Sequence, residues 1–216
     1  MNKKTVIFDL DGTLLNTLQD LTDSTNFALS QFNFLPKTIE QIRQYVGNGV
    51  SKLIERAIPN GLDNPHYEKC LNLFKAYYKE NMFNKTEPYD GIISMLEKIK
   101  LLGIKTAVVS NKFDTAVKGL CEKYFNGLID FCSGENDKEG ILKKPAPDTI
   151  LKVLNEFKIE PSQAVYVGDS EVDIATAKNA QIECISVLWG FKSKEFLLDN
   201  GAGILISEPN EIFKYL

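Results

Sequence analysis

Two aspartates, Asp9 and Asp11, stand one residue apart where the apolar run of VIFDLDGTLLN (residues 6–16) gives way to Gly12 and Thr13. Carboxylates so placed have two readings. They solvate a strand end as turn residues, or they share a reaction. In the second reading one attacks an electrophile and forms a covalent intermediate. The other moves the proton that the leaving group needs. Alternation along an extended chain points the two side chains in opposite directions. A turn at Gly12, where glycine accepts backbone angles closed to other residues, brings the second back toward a common substrate.

The elements that must position this pair follow from the hydrophobic pattern. TVIFDL is short and β-branched, as a strand buried on both faces is. AVVS (107–110), AVYVG (164–168) and CISVL (184–188) repeat it, and LIDFC (128–132) is a fainter copy. Helical periods lie between them. GIISMLEKIKLLG places Ile92, Ile93, Leu96 and Ile99 on one stripe before Gly103, and PDTILKVLNEFK follows Pro147, a residue suited to a first helical turn. Strands alternating with helices predict an α/β fold: a Rossmann-like parallel sheet covered by helices on both faces. From Thr17 to Glu87 the alternation stops and only helical periods remain. TLQDLTDSTNFALSQF opens with Thr17 and Asp20 at capping-box spacing. NPHYEKCLNLFKAYYKENMF opens with Asn64 as N-cap and Pro65 in the first turn. The domain reading is a core of residues 1–15 and 88–216 with an all-helical cap, residues 16–87, inserted after the first strand.

In an open parallel sheet ligands sit beyond the carboxyl ends of the strands. The polar residues expected there are Asp9 and Asp11, then Ser110 and Asn111, then Asp169 and Asp173 of GDSEVD, with Lys144 of KKPAP before a helix. Four carboxylates at one rim repel one another and raise each other's pKa. A divalent cation resolves that, and an all-oxygen ligand set favours magnesium, which keeps waters and takes one or two carboxylates plus a substrate phosphate oxygen. The chemistry that fits is attack of a carboxylate on phosphorus. Lys144 and the cation neutralise the phosphoryl charge and Ser110 donates a hydrogen bond. Each residue also has an ordinary reading. Asp11-Gly12 is a common turn, Ser110 a helix cap, Ser170 with Asp173 a capping box, Lys144 beside Lys143 a solvated surface lysine, and His66 a first-turn surface residue. Those readings fail jointly, because four segments would have to imitate one site in the right order.

Composition narrows the function classes. With 44% hydrophobic and 25% charged residues this is an ordinary globular composition. The net charge of −4 supplies no basic field for nucleic acid or an anionic membrane. The four cysteines show no CxxC spacing, which fits reduced thiols in a cytoplasmic protein rather than a zinc cluster or disulfide framework. No run approaches the ~18–20 apolar residues of a membrane span.

Taken together, DLDGT, SNK, KPAP and GDSEVD resemble the four motifs of the haloacid dehalogenase superfamily of phosphohydrolases, over essentially the whole chain including the inserted cap. The resemblance implies Asp9 as nucleophile and metal ligand, and Asp11 as acid/base that also offers its backbone carbonyl to the metal. It implies Asp169 as a magnesium ligand, with Asp173 supporting the metal site through water or Lys144. Thr13, Ser110, Asn111 and Lys144 form the phosphate-binding set. Asp11 argues against a dehalogenase, which lacks that aspartate, and Gly168 against the sugar-phosphate mutases, which carry an acid there. YVGNGV (45–50) and WGFKSKEFLLDNGAG (189–203) are similar to phosphoglycolate phosphatases, and make Gly47, Asn48 and Gly49 the cap loop over the substrate. AKNAQIE departs from the family's Ala-Gly pattern at Gln181, which should alter a turn and leave the chemistry intact. The expected partner is a small phosphorylated metabolite, with neither nucleic acid nor membrane, and the chain acts as a monomer or homodimer. Related branches that hydrolyse pyrophosphate or nucleoside monophosphates are the alternatives. A phospho-accepting receiver domain also uses an aspartate, a hydroxyl, a lysine and magnesium. It is shorter, has no helical insert, and must keep its phosphate, whereas Asp11 drives hydrolysis.

Overall fold

The computed structural model describes residues 3–136 and 142–216. They fall into two compact units, residues 1–15 with 88–216 and residues 16–87. The chain crosses between them within two short strands, β2 (Leu15–Asn16) and β3 (Glu87–Pro88).

The first unit is built on β1 (Thr5–Phe8), β4 (Lys105–Phe113), β5 (Phe131–Glu135), β6 (Ala164–Gly168), β7 (Glu183–Val187) and β8 (Ile204–Ile206). They form a parallel sheet in the order β5-β4-β1-β6-β7-β8. Counted among themselves in chain order, the strands run 3-2-1-4-5-6, the doubly wound α/β order. That order reverses between β1 and β6, where Phe8 lies between Val108 and Val167 in register. Every side chain of β1 and β6 is buried, which is why their sequences are continuous rather than alternating. The edge strands are less apolar. β5 is only half-buried along its length, and β8 was not marked by any sequence pattern.

Helices α5 (Ile92–Leu101), α6 (Asp114–Phe125), α7 (Asp148–Phe157), α8 (Glu171–Asn179) and α9 (Lys194–Asp199) connect the strands. The apolar stripe of α5 is buried at Ile92, Met95, Leu96 and Ile99, and Gly103 follows with φ +72°. On α7, Ile150, Val153 and Leu154 join Ile7, Val109, Tyr166 and Ala177 in one core cluster. Each such aliphatic side chain, removed fully from water, contributes about 1.5–3 kcal/mol. Pro147 sits one residue earlier than the first helical turn, as the residue that caps α7. Gln181 takes up the left-handed conformation, φ +56°, in the turn after α8.

The second unit packs α1 (Leu18–Ser30), α2 (Ile39–Tyr45), α3 (Val50–Ala57) and α4 (Tyr67–Asn81). Phe27 of α1 and Tyr77 of α4 stack with ring centroids 3.9 Å apart. Two of its helix starts differ from the sequence expectation. Thr17 makes no side-chain cap. Asp20, its expected capping partner, accepts instead from the backbone of Lys85 (3.0 Å) and from the backbone and hydroxyl of Thr86 (2.9 and 2.8 Å). A buried carboxylate does better with several donors than with one cap bond. Asn64 caps a turn and not α4. Its Oδ1 accepts from the His66 amide at 2.8 Å, and the helix starts at Tyr67. His66 itself stacks on Phe32, centroid to centroid 4.9 Å. No helix among the described residues is long and apolar enough to cross a membrane.

Candidate active site

The switch point of the sheet gathers three of the four expected carboxylates, those of Asp9, Asp169 and Asp173. The Asp9 amide makes the last bond of the β1–β6 ladder, to the Val167 carbonyl at 2.9 Å, so its side chain stands at the carboxyl end of β1. The chain then closes a tight loop in which the Leu10 carbonyl accepts from the amides of Thr13, Leu14 and Leu15. Gly12 is required there twice over. Its φ is +83°, and a Cβ on it would lie 2.3 Å from Asp169 Oδ2. Asp169 follows β6 directly, and Asp173 sits in the first turn of α8.

Asp9, Asp169 and Asp173 are 7%, 2% and 0% exposed and offer oxygens within 4.8 Å of one another. Lys144, also buried, enters among them. Its Nζ lies 3.0 Å from Asp9 Oδ1 and 2.7 Å from Asp173 Oδ1, and donates to the Tyr166 hydroxyl at 2.9 Å. The second Asp173 oxygen accepts from the Ser170 amide (3.1 Å) and hydroxyl (2.6 Å), so capping α8 and holding Lys144 are done by one side chain. Thr13 donates to Asp169 Oδ1 at 3.4 Å, and the Phe191 amide to Asp169 Oδ2 at 2.7 Å.

The Asp11 carboxylate lies outside this cluster, against Lys112 Nζ at 2.9 and 3.0 Å. Ser110 and Asn111 are buried at the end of β4. Ser110 Oγ accepts from the Lys112 amide at 3.4 Å, and Asn111 Nδ2 donates to the Lys144 carbonyl at 3.0 Å. Gly47, Asn48 and Gly49 belong to the helical unit, between α2 and α3. There the Arg56 guanidinium ties the loop, donating to the Tyr45 carbonyl (2.7 Å) and Asn48 Oδ1 (2.9 Å).

Three carboxylates against one lysine leave the cluster short of positive charge. Burial pushes the Asp9 carboxyl up to about 6, helped by Asp173 and Asp11 and opposed by Lys144. Burial, then Asp173 and Asp9, hold Asp169 well above the usual carboxylate range. Burial pulls Lys144 down, but Asp173 and Asp9 outweigh it and raise the ammonium overall. Close, buried, all-oxygen donors with a charge deficit suit a hard divalent cation. The model of the haloacid dehalogenase-like hydrolase family matches residues 6–187. The chain belongs to that family.

Haloacid dehalogenase-like relatives align along nearly the full chain. A phosphoglycolate phosphatase of Aquifex aeolicus is 30% identical over 214 residues, covering 99% of this chain and 96% of its own. One from Psychrobacter arcticus is 34% identical, covering 88% and 86%. A solved structure from Lactobacillus delbrueckii subsp. bulgaricus, described as a candidate phosphoglycolate phosphatase, superposes with a TM-score of 0.93 at 35% identity. The overlap spans 98% of this chain and 97% of that one.

Sequence reasoning missed three contributors to this hydrolase site. Tyr166 was visible only as one aromatic in an aliphatic strand, Lys112 only as the last letter of SNK. The third is the loop after β7. Trp189 Nε1 donates to the Thr13 carbonyl at 3.0 Å, and Gly190 lies so near that a Cβ would come 2.3 Å from Asp169 Cβ and 2.6 Å from the Gly12 carbonyl. Gly190→Ala therefore must displace Asp169 or the Gly12 loop. It is expected to lower the unfolding free energy by about 1–3 kcal/mol through overpacking. Displaced site groups are expected to lower kcat/KM by about 100-fold. Thermal unfolding and initial-rate kinetics read the two effects.

Proposed function

We propose that this chain is a magnesium-dependent phosphatase that hydrolyses a small phosphomonoester, phosphoglycolate being favoured, through an aspartyl-phosphate on Asp9. The observation that carries the reading is the Asp9 carboxylate, buried at the switch point, ion-paired to Lys144 and grouped with Asp169 and Asp173. Asp9, the Asp11 backbone carbonyl and Asp169 would hold the cation, with Asp173 behind them, and the bound ion supplies neutralising charge at the phosphoryl oxygens.

The chain's own residues do the rest. An Asp9 oxygen attacks phosphorus as the bond to the leaving oxygen breaks, and Asp11 gives that oxygen a proton. Water then attacks the same phosphorus, Asp11 takes the water's proton, and the P–O bond to Asp9 breaks to return the free carboxylate and inorganic phosphate. Lys144, Ser110, Asn111 and Thr13 hold the phosphoryl group. Residues 16–87 act as the cap, and the Gly47–Asn48–Gly49 loop selects the leaving group. Closure over the substrate excludes water that would compete for the intermediate. In this reading the enzyme works in the cytoplasm, as a monomer or homodimer, on a small phosphorylated metabolite.

The support is the full-length similarity to phosphoglycolate phosphatases together with the carboxylate cluster. The test is a substrate panel of phosphoglycolate, p-nitrophenyl phosphate, pyrophosphate and nucleoside monophosphates, with magnesium and with EDTA. Phosphoglycolate is expected to give the highest kcat/KM, with phosphate release abolished by EDTA. Full turnover in EDTA would overturn the metal requirement. A kcat/KM led by pyrophosphate or a nucleotide would replace the substrate.

A further inference from the structure

Two buried lysines enter the site, and they serve different carboxylates. Lys144 contacts Asp9 and Asp173, whereas Lys112, 6% exposed, contacts both oxygens of Asp11. A strand residue reaches Asp11 because β4 leaves its ladder at that point. Val109 pairs with Ser133 but the next pair is Phe113 with Glu135, so residues 110–112 bulge out of register. Such bulges re-aim side chains. Gly134 makes room for this one, since a Cβ there would lie 2.4 Å from the Lys112 carbonyl and 2.7 Å from Asp114 Cα. The Gly134 amide is tied to Asp114 Oδ1 at 3.0 Å, which fixes the far side of the bulge.

We propose that Lys112 is a positioning residue for proton transfer: its ammonium, within hydrogen-bond distance of both Asp11 oxygens, sets the plane and reach of the carboxyl group that gives its proton to the leaving oxygen and takes one back from the attacking water. This rests on the reading of Asp11 as acid/base. A proton passes only over about 2.6–3.2 Å between heavy atoms, and a carboxyl group free to rotate on its Cα–Cβ bond meets that geometry less often than one held in place. The bulge, its glycine and the buried ammonium together make a built device on strands β4 and β5, anchored in the sheet that also carries Asp9.

Leaving-group chemistry separates positioning from mere structure. An alkyl phosphate such as phosphoglycolate needs its leaving oxygen protonated, whereas p-nitrophenolate leaves without that help. The measurement is the ratio of kcat/KM for phosphoglycolate to that for p-nitrophenyl phosphate, in the magnesium-loaded wild type, Lys112→Met, Lys112→Gln and Asp11→Asn. Each Lys112 variant is expected to lower the ratio at least tenfold, a part of the ~10²–10⁴ that general acid catalysis contributes. Lys112→Gln keeps a neutral donor and guards against a Lys112→Met chain that fails to fold, with circular dichroism as the check. If Asp11→Asn lowers the ratio and both Lys112 variants leave it within about twofold of wild type, the positioning role is overturned and the acid/base reading stands. If Asp11→Asn itself leaves the ratio unchanged, the acid/base reading falls first. A loss equal for both substrates marks Lys112 as a binding or structural residue and also overturns the proposal.

Discussion

Asp9→Asn is expected to lower turnover of phosphoglycolate and of p-nitrophenyl phosphate by at least ~10⁴-fold, the scale on which enzymes lose rate when a nucleophile is removed. The amide cannot form the covalent intermediate, so binding and charge stabilisation alone remain. The loss is expected without loss of fold. Asn has the same shape as Asp, and Lys144 keeps Asp173 at 2.7 Å and Tyr166 at 2.9 Å, so no buried ammonium is stranded. Burial already holds the Asp9 carboxyl up to about 6, so a neutral group there relieves a desolvation cost rather than adding one. Steady-state kinetics with both esters, beside circular dichroism and thermal unfolding, provide the check. Retention of more than about a hundredth of wild-type kcat would rule out Asp9 as the attacking atom. So would a wild-type enzyme in which no acyl phosphate on Asp9 can be trapped by rapid quench and mass spectrometry.

The parts of this site legible in the sequence are those set by local pattern. Strands β1 and β6 announce themselves because both faces are buried, and an apolar run then needs no alternation. Once the sheet is parallel, the polar residues after each strand must share one rim, which brings Asp9, Asp169, Lys144 and Ser110 into one neighbourhood on topology alone. What the sequence hides is set by distant partners. Thr17 and Asp20 have capping-box spacing, yet Asp20 is claimed by Lys85 and Thr86, more than sixty residues away, because those donors satisfy a buried carboxylate more fully. Lys112 is hidden because bulge position depends on the register against β5 and on Gly134, neither of which has a local signal. Strand β8 is hidden because three residues at an edge carry too little pattern to separate from a loop. Gln181 is the converse case. The missing glycine was plain to see, and the chain still adopts φ +56° there, at a cost of about 1–2 kcal/mol borne by the rest of the turn.

Asp169→Asn is expected to make the metal-free protein more stable while removing most of its stabilisation by magnesium. Burial, with Asp173 and Asp9 close by, raises the Asp169 carboxyl well above its ordinary range in the folded state. A folded-state pKa above the unfolded value means the native protein binds the extra proton. The associated stability is complete below about 4, near the unfolded pKa, and is lost as pH rises through the folded value. Asp9 behaves alike over a window from 3.8 to about 6. At pH 7.5 without metal the wild type therefore keeps buried carboxyl groups whose ionised forms are disfavoured by burial and by one another. The substitution removes one of them and keeps the geometry, the new amide oxygen serving as acceptor for the Phe191 amide that Asp169 now holds at 2.7 Å. In EDTA at pH 7.5 the variant is expected to unfold a few degrees above wild type, and its Tm to fall less between pH 5 and 7.5. Magnesium is expected to reverse the order in favour of the wild type, because a ligand at a hundred times its Kd adds about 2.7 kcal/mol. Thermal unfolding at two pH values, with EDTA and with magnesium, reads all of this without any turnover. A variant less stable than wild type in EDTA would show that Asp169 supports the fold by itself. The opposite result identifies the carboxylate cluster as a site held at the expense of stability for the charge it is built to receive.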